Sequence, residues 1–343
     1  MGAAISTVTA GACFACLAAG ILVAVTACGG SGDGLAPAAE PSRSPPLGDR
    51  PEGTVIPVGN KPEGLAFDPA TRLLAVGLTD PDRLALVDAG SGRVVKRVPL
   101  PESPRHLQLA RPGGPVLVPA ERADALALIA LPSGRMRTVR VGRFPHDAAA
   151  ARGRIFVGNE FGDSVSVVED DRVIRTLRAP RQPGGVAATS DREHVGVIGV
   201  RERALEVFDA RSLASTGKIS VGLGPTHIVG AGGRFFVVDT RGDGLLEISL
   251  DPLRVHRRTH LDGGPYGIAL DRSRRRFWVT LTARNEVAEL TDRRRLRVFP
   301  TVRQPNSVAV DPASGRVFVA SRKDGSLQFF DPPECRGDAC TPD

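Results

Sequence analysis

Six histidines are spread along this sequence of 343 residues, and three of them occupy related places. His146 directly follows a proline, Pro145, while His106 and His227 come two residues after Pro104 and Pro225. Asp147 adjoins His146, Arg105 adjoins His106, and Glu63 follows another such proline, Pro62. Tyr266 and Asn306 also follow prolines, and Glu160 and Asp239 each close a run of mainly apolar residues. Imidazole beside carboxylate is the pairing from which acid–base sites and metal sites are built, because it joins a proton carrier near neutral pH to anionic ligands. His106, His146 and His227 are therefore candidate metal ligands, with Asp147 and Glu160 as partners. The same residues fit a plainer role, capping strand ends and solvating a channel, and both readings stay open. The sequence has no Gly-x-Ser-x-Gly elbow, Walker loop, His-Glu-x-x-His or Cys-x-x-Cys-His motif. No cofactor is expected, and no catalytic residue is assigned.

The elements that carry these residues repeat. Pro62, Pro104, Pro145, Pro183, Pro225, Pro265 and Pro305 recur at intervals of about 40 residues. After each comes a short run with small side chains, such as Ala66, Ala148, Ala187 and Ala309. A second apolar run follows, as in Phe235-Phe236-Val237-Val238 and Phe277-Trp278-Val279, and then a third beginning near Leu84, Leu126 or Val165. A fourth mixes apolar residues with cations, as in Val94-Val95-Lys96-Arg97-Val98. Short apolar runs bounded by Gly, Pro and Asp read as strands. Four strands per repeat is the blade of a β-propeller. The pattern predicts an all-β fold, a seven-bladed β-propeller with four antiparallel strands per blade. Small residues suit the first strand, where seven strands crowd the axis; a half-solvated rim strand tolerates Lys and Arg.

The seventh repeat runs out after three strands, whereas Gly53 to Gly59 stands as an unclaimed strand before the first repeat. The N-terminal strand is therefore expected to close the last blade, which removes two exposed sheet edges. Loops entering the first strands and loops joining second to third strands share one face. That face carries the candidate ligand residues Glu63, Arg105, His106, His146, Asp147, Glu160, His227, Asp239, Tyr266 and Asn306. His106 and His146 are expected as neighbours, with His227 two blades further on.

Composition sets the class. The chain holds 39 glycines and 28 prolines and is 41% hydrophobic, as expected of a turn-rich globular protein. Its net charge is +7, almost all from arginine spread through every repeat beside Asp and Glu. Nucleic-acid binding needs basic residues gathered on one face, so nucleic acid is not an expected partner. No cysteine lies between Cys28 and Cys335, which excludes a zinc pattern; Cys335 and Cys340 are close enough to form a disulfide or to remain free thiols.

Ile5 to Ala27 is free of charge and ends in Val25-Thr26-Ala27-Cys28, followed by Gly29-Gly30-Ser31-Gly32. The tetrapeptide resembles a lipobox, which implies cleavage before Cys28 and a lipid on its thiol. The stretch lacks the Lys or Arg that usually opens a signal peptide, and about 20 apolar residues can also stay as a spanning anchor. Either outcome places the rest outside the cytoplasm, on the outer side of the cell membrane. Residues 1–27 read as a lipoprotein signal peptide and 28–52 as a lipidated cysteine with a Gly/Pro/Ser linker. Because Gly29 to Arg50 has few apolar anchors, it is expected to be a flexible tether. Residues 53–333 form the propeller, and 334–343 a C-terminal tail.

The repeat also resembles the YVTN family of seven-bladed propellers. The residues that carry the likeness are Pro62 to Pro69, Phe156-Val157-Gly158-Asn159, Leu205 to Asp209, and the Gly92-Arg93 turn. It extends over Gly53 to Pro333, although only Asn159 keeps the family's closing Asn. The resemblance implies a propeller whose channel mouth holds the functional site. The first functional expectation is a membrane-tethered binding module for a protein, peptide or cell-envelope ligand. Because related propellers include lactonases, an alternative is a hydrolase using His146, His227, Arg105 and Glu63, and a third is a metal- or redox-handling propeller.

Overall fold

In the computed structural model, residues 35–334 are described; Cys28 and the Cys335–Cys340 pair lie outside them. Seven four-stranded antiparallel sheets follow one another around a central channel. They span residues 65–99, 108–140, 145–178, 183–220, 225–260 and 265–300 for blades 1 to 6. Blade 7 combines Pro305–Val310, Val317–Ser321 and Ser326–Phe330 with the N-terminal strand Thr54–Pro57.

That closing strand pairs antiparallel with Ser326–Phe330, Thr54 opposite Phe329 and Pro57 opposite Ser326. A buried amide secures it: Gln328 Nε2 donates to Glu52 O at 2.8 Å and to Pro300 O at 3.1 Å. The Glu52 N–H donates to Pro300 O at 3.0 Å, so the first ordered residues of the ring are bonded to blade 6 as well as blade 7. Ring closure thus follows the expected route.

Side chains fill the gaps between adjacent blades. Phe67 of blade 1 stacks on Phe318 of blade 7 with centroids 5.9 Å apart. Trp278 is buried between blades 6 and 7 against Phe299 and Phe330. Each such large side chain withdrawn from water stabilises the fold by roughly 1.5–3 kcal/mol. The rim strands bury little; in Arg172–Arg178 only Leu177 faces inward, which is why cations are tolerated there. The aspartates that end the first strands tie down the following turn. Asp68 accepts from the Thr71 N–H and hydroxyl and from the Gly113 N–H of blade 2, and Asp311 accepts from the Ala313 N–H and the Ser314 hydroxyl.

One expectation fails in part. From residue 36 onward, the segment read as a tether lies along the upper face, the face where first strands begin. Arg241 donates to the carbonyls of Pro37 and Ala38, both at 2.7 Å. Ser44 is buried, its hydroxyl donating to Thr282 O at 2.5 Å and accepting from the Gln304 N–H at 3.1 Å. Asn285 Nδ2 donates to Pro45 O at 3.0 Å. A segment without a core of its own is ordered here because blades 5 to 7 supply partners for its backbone.

Candidate functional site

The repeat proline does more than open each blade. In five blades the pairing slips just after it, skipping His146, Gly184, Thr226, Tyr266 with Gly267, and Asn306. Such a bulge leaves a residue out of the ladder and re-aims its side chain. Two layers result. The first position after the proline gives Glu63, Arg105 and His146 to the upper mouth. The second gives His106, Asp147 and His227 to the channel below it.

In the upper layer His146 Nδ1 lies 2.8 Å from Glu160 Oε2 and 3.5 Å from Glu121 Oε1. Both glutamates open single 3-10 turns between second and third strands, Glu121–Ala123 in blade 2 and Glu160–Gly162 in blade 3. Arg105 Nε is 3.0 Å from Glu121 Oε1, and its Nη1 is 3.4 Å from Glu63 Oε1. Glu63 is also paired with Arg322. Gln182 Nε2 donates to Glu160 Oε1 at 2.6 Å. One buried network therefore joins blades 1, 2, 3 and 7, and reaches Gln182 at the start of blade 4.

The environment splits the two carboxyls that flank His146. Burial, helped by the Glu160 charge, pushes Glu121 up to about 7 in spite of Arg105. Burial also works to raise Glu160, but the hydrogen bond from His146, that residue's charge, the Gln182 amide and Arg105 together hold it below the usual range. The proton is therefore held more tightly by Glu121 than by Glu160. Paired carboxyls driven apart in this way are the arrangement of acid–base sites.

Between the two layers runs a stack of rings drawn from both positions. His106 and His227 lie face to face with centroids 4.4 Å apart, and His146 meets His106 edge-on at 4.8 Å. Tyr266 meets His227 edge-on at 4.5 Å. Removal from bulk water lowers both histidines, His227 most strongly, and the neighbouring cationic groups add to the effect. For His106 the Asp147 carboxylate, 3.6 Å away, works the other way. Burial pushes the Tyr266 phenol up to about 12. His227 Nδ1 is buried and has no hydrogen-bond partner among the described residues.

His227 does lie two blades beyond His146, as the sequence implies, and its ring nonetheless reaches across to stack on His106. At the same level blades 1, 4 and 6 carry Gly64, Gly185 and Gly267, so two imidazoles can meet across the axis. Gly64 has φ +76°, and a Cβ there would fall 2.2 Å from Arg105 O. The three histidines do not form a metal site together. The one group among the described residues whose ligand atoms converge, all within 4.8 Å, is Glu121, His146 and Glu160. A divalent cation would have to displace the hydrogen bond between His146 and Glu160 and the contact of Arg105 with Glu121.

Other expected site residues take supporting roles. Asp147 accepts from the Val186 N–H at 2.9 Å, the Ala148 N–H at 2.8 Å and Gln108 Nε2 at 3.0 Å, lacing blades 2, 3 and 4 together. Asp239 stands apart from the cluster; it caps the Leu223, Gly224 and Gly242 N–H groups and pairs with Arg258. Asn306 Oδ1 accepts from Gln304 Nε2, the amide that also donates to Ser42 O. Glu121 was not singled out from the sequence. A signal was present, because it follows the second strand of its blade just as Glu160 does in the next.

Neither a protein-family model nor a curated protein sequence matches the chain. Solved structures do resemble it. Hydrazine synthase of Kuenenia stuttgartiensis superposes with a TM-score of 0.70 at 14% identity, covering 80% of this chain and 96% of that one. A streptogramin B lyase gives 0.68 at 14% identity over 82% and 97% of the two chains. Virginiamycin B lyase from Staphylococcus aureus gives 0.67 at 15% identity over 80% and 97%. At these identities the likeness establishes the seven-bladed propeller and nothing about chemistry.

Proposed function

We propose that this chain is a lipid-anchored propeller on the outer side of the cell membrane, binding a small polar ligand or a peptide or cell-envelope segment at its upper channel mouth. The anchor rests on Val25-Thr26-Ala27-Cys28 and the uncharged stretch before it. The binding reading rests on one observation: Glu121, His146 and Glu160 converge with Arg105 in a largely buried, interconnected cluster at the mouth. Preformed polar groups in a recess are how such sites fix the orientation of a ligand. Titration of the purified protein with soluble peptidoglycan fragments and short peptides tests the reading. Binding weakened at least tenfold by Glu160→Gln and by His146→Ala is the expected result; both variants binding as tightly as the parent would sink it.

The split carboxyls favour a second reading, an acid–base enzyme with Glu121 as the proton donor and the Glu160–His146 pair as the base. Some propellers of similar fold are lyases. Turnover of a lactone panel that disappears in Glu121→Gln while ligand binding persists would select this reading over simple binding.

A further inference from the structure

The channel has a second end. Below the imidazole stack its cavity, about 970 Å³, is walled by small residues such as Ala149, Ala150, Ala187 and Gly230. At the lower end the walls are the turns joining first to second strands, and these bring arginines together. Arg192 of blade 4 crosses to blade 2, its Nη1 donating to Ala110 O at 2.8 Å. Arg272 of blade 6 reaches blade 4, its Nη1 donating to Ser190 Oγ at 2.5 Å. The same Ser190 Oγ accepts from the Gly232 N–H at 2.9 Å, which leaves its own proton to be donated.

Among the described residues neither Arg192 nor Arg272 forms an ion pair, and nor does Arg275, which also lines the cavity. Arg234, beside them, is paired with Glu247 and so is already compensated. The nearby Asp191 is held by the Thr189 hydroxyl and the Glu193 N–H, and Asp292 lines the cavity. Burial and the charge of Arg192 both push Arg272 down, with no carboxylate opposing them. Two guanidiniums held together by neutral acceptors repel each other, and an anion between them relieves the repulsion while gaining forked, charge-assisted hydrogen bonds.

We propose that the lower mouth binds an anionic small molecule, with its phosphate or carboxylate group between Arg192 and Arg272 beside the Ser190 hydroxyl, and its body in the Ala/Gly-lined channel. The volume lies at the upper end of the range for small-molecule pockets. The site shares no residue with the Glu121–His146–Glu160 cluster, so either can fail without the other.

Calorimetric titration of the purified protein at low ionic strength tests this, with inorganic pyrophosphate and citrate as separate probes. Binding of one or both is expected, with the preferred probe telling phosphate from carboxylate. Arg192→Ala/Arg272→Ala should weaken it at least tenfold, and Glu160→Gln should leave it unchanged. Because Arg192 bridges two blades, Arg272→Lys serves as a milder variant that keeps the charge and loses the fork; it should weaken binding several-fold with an unchanged circular-dichroism spectrum. No binding of either probe, or binding by the double variant as tight as that of the parent, would overturn the proposal.

Discussion

At the upper end of the channel Arg105 lies against Glu121 and Glu63, Arg322 against Glu63, and His146 against Glu160. At the lower end Arg192 and Arg272 face the cavity with, among the described residues, only a carbonyl and a hydroxyl as partners. The same seven first strands supply both ends. The upper end is charge-compensated, and its geometry is fixed before any ligand arrives. The lower end keeps an excess of cation that an anion can complete. Compensation makes for orientation and proton chemistry, whereas uncompensated charge in a recess makes for affinity and salt dependence. One scaffold can thus hold two sites of opposite character, separated by a layer of packed rings.

Asp147 stands between the two ends and holds both in register, so removing it should blur the contrast most. Asp147→Ala deletes a buried acceptor and strands the Val186 N–H in particular. Loss of charged hydrogen bonds with buried donors left unpaired costs about 3 kcal/mol. For a domain of this size that predicts a melting temperature lower by roughly 5–10 °C. A thermal melt within a degree or two of the parent would show that Asp147 does not lace blades 2, 3 and 4.

The fold was largely legible because its signal is periodic: the prolines, the apolar runs and the spare strand Gly53–Gly59 each recur or fit once. The site was legible only by halves. His146 and Glu160 could be placed on one face, and they meet. Glu121 could not be told from six other polar loops, since nothing local marks which loop leans toward the axis. His227 lies two blades beyond His146 as read, but its contact with His106 could not be foreseen, because the glycines that let its ring cross the axis act only in three dimensions. The contacts of residues 37 to 45 were not foreseen because composition reports what a chain can bury by itself, whereas their partners belong to blades 5 to 7. Arg192 and Arg272 were invisible for the same reason, being two of many arginines until the turns bring them together.

The character of the upper end can be sharpened through its proton. Glu121 titrates at about 7, above the usual carboxyl value, so its folded form binds the proton more tightly than its unfolded form. Its contribution to stability is therefore full below the unfolded pKa and is lost as pH rises toward and through 7. Glu160, held low, behaves oppositely: its contribution is present above the unfolded pKa and is lost as pH falls through its folded value. Glu121→Gln removes only the first dependence. The melting temperature of Glu121→Gln minus that of the parent should rise between pH 5 and pH 8. A flat or falling difference would mean that Arg105 outweighs burial at Glu121, and the acid–base reading would lose its donor. At the lower end Arg192→Ala should leave this pH dependence unaltered.

The smallest effect concerns what borders the upper end alone. Arg241 is exposed, and its two hydrogen bonds hold Pro37 and Ala38 against blade 5. Exposed contacts of this kind contribute about 1 kcal/mol or less. Arg241→Ala should therefore move the melting temperature by no more than roughly 2 °C. The segment is fastened at few points, so the same loss concentrated there should raise its open population about fivefold. Trypsin cleavage after Arg43, an exposed residue just before buried Ser44, reads that population directly. A several-fold faster cut at Arg43 with a nearly unchanged melt is the expected pair of results. If the cut does not quicken, the bonds of Ser42, Ser44 and Pro45 to Gln304, Thr282 and Asn285 hold the segment, and Arg241 has no part in fixing what borders the mouth. If the melt falls by much more, the segment is integral to blades 5 to 7, and the upper end is built by the ring and its N-terminal extension together, unlike the lower.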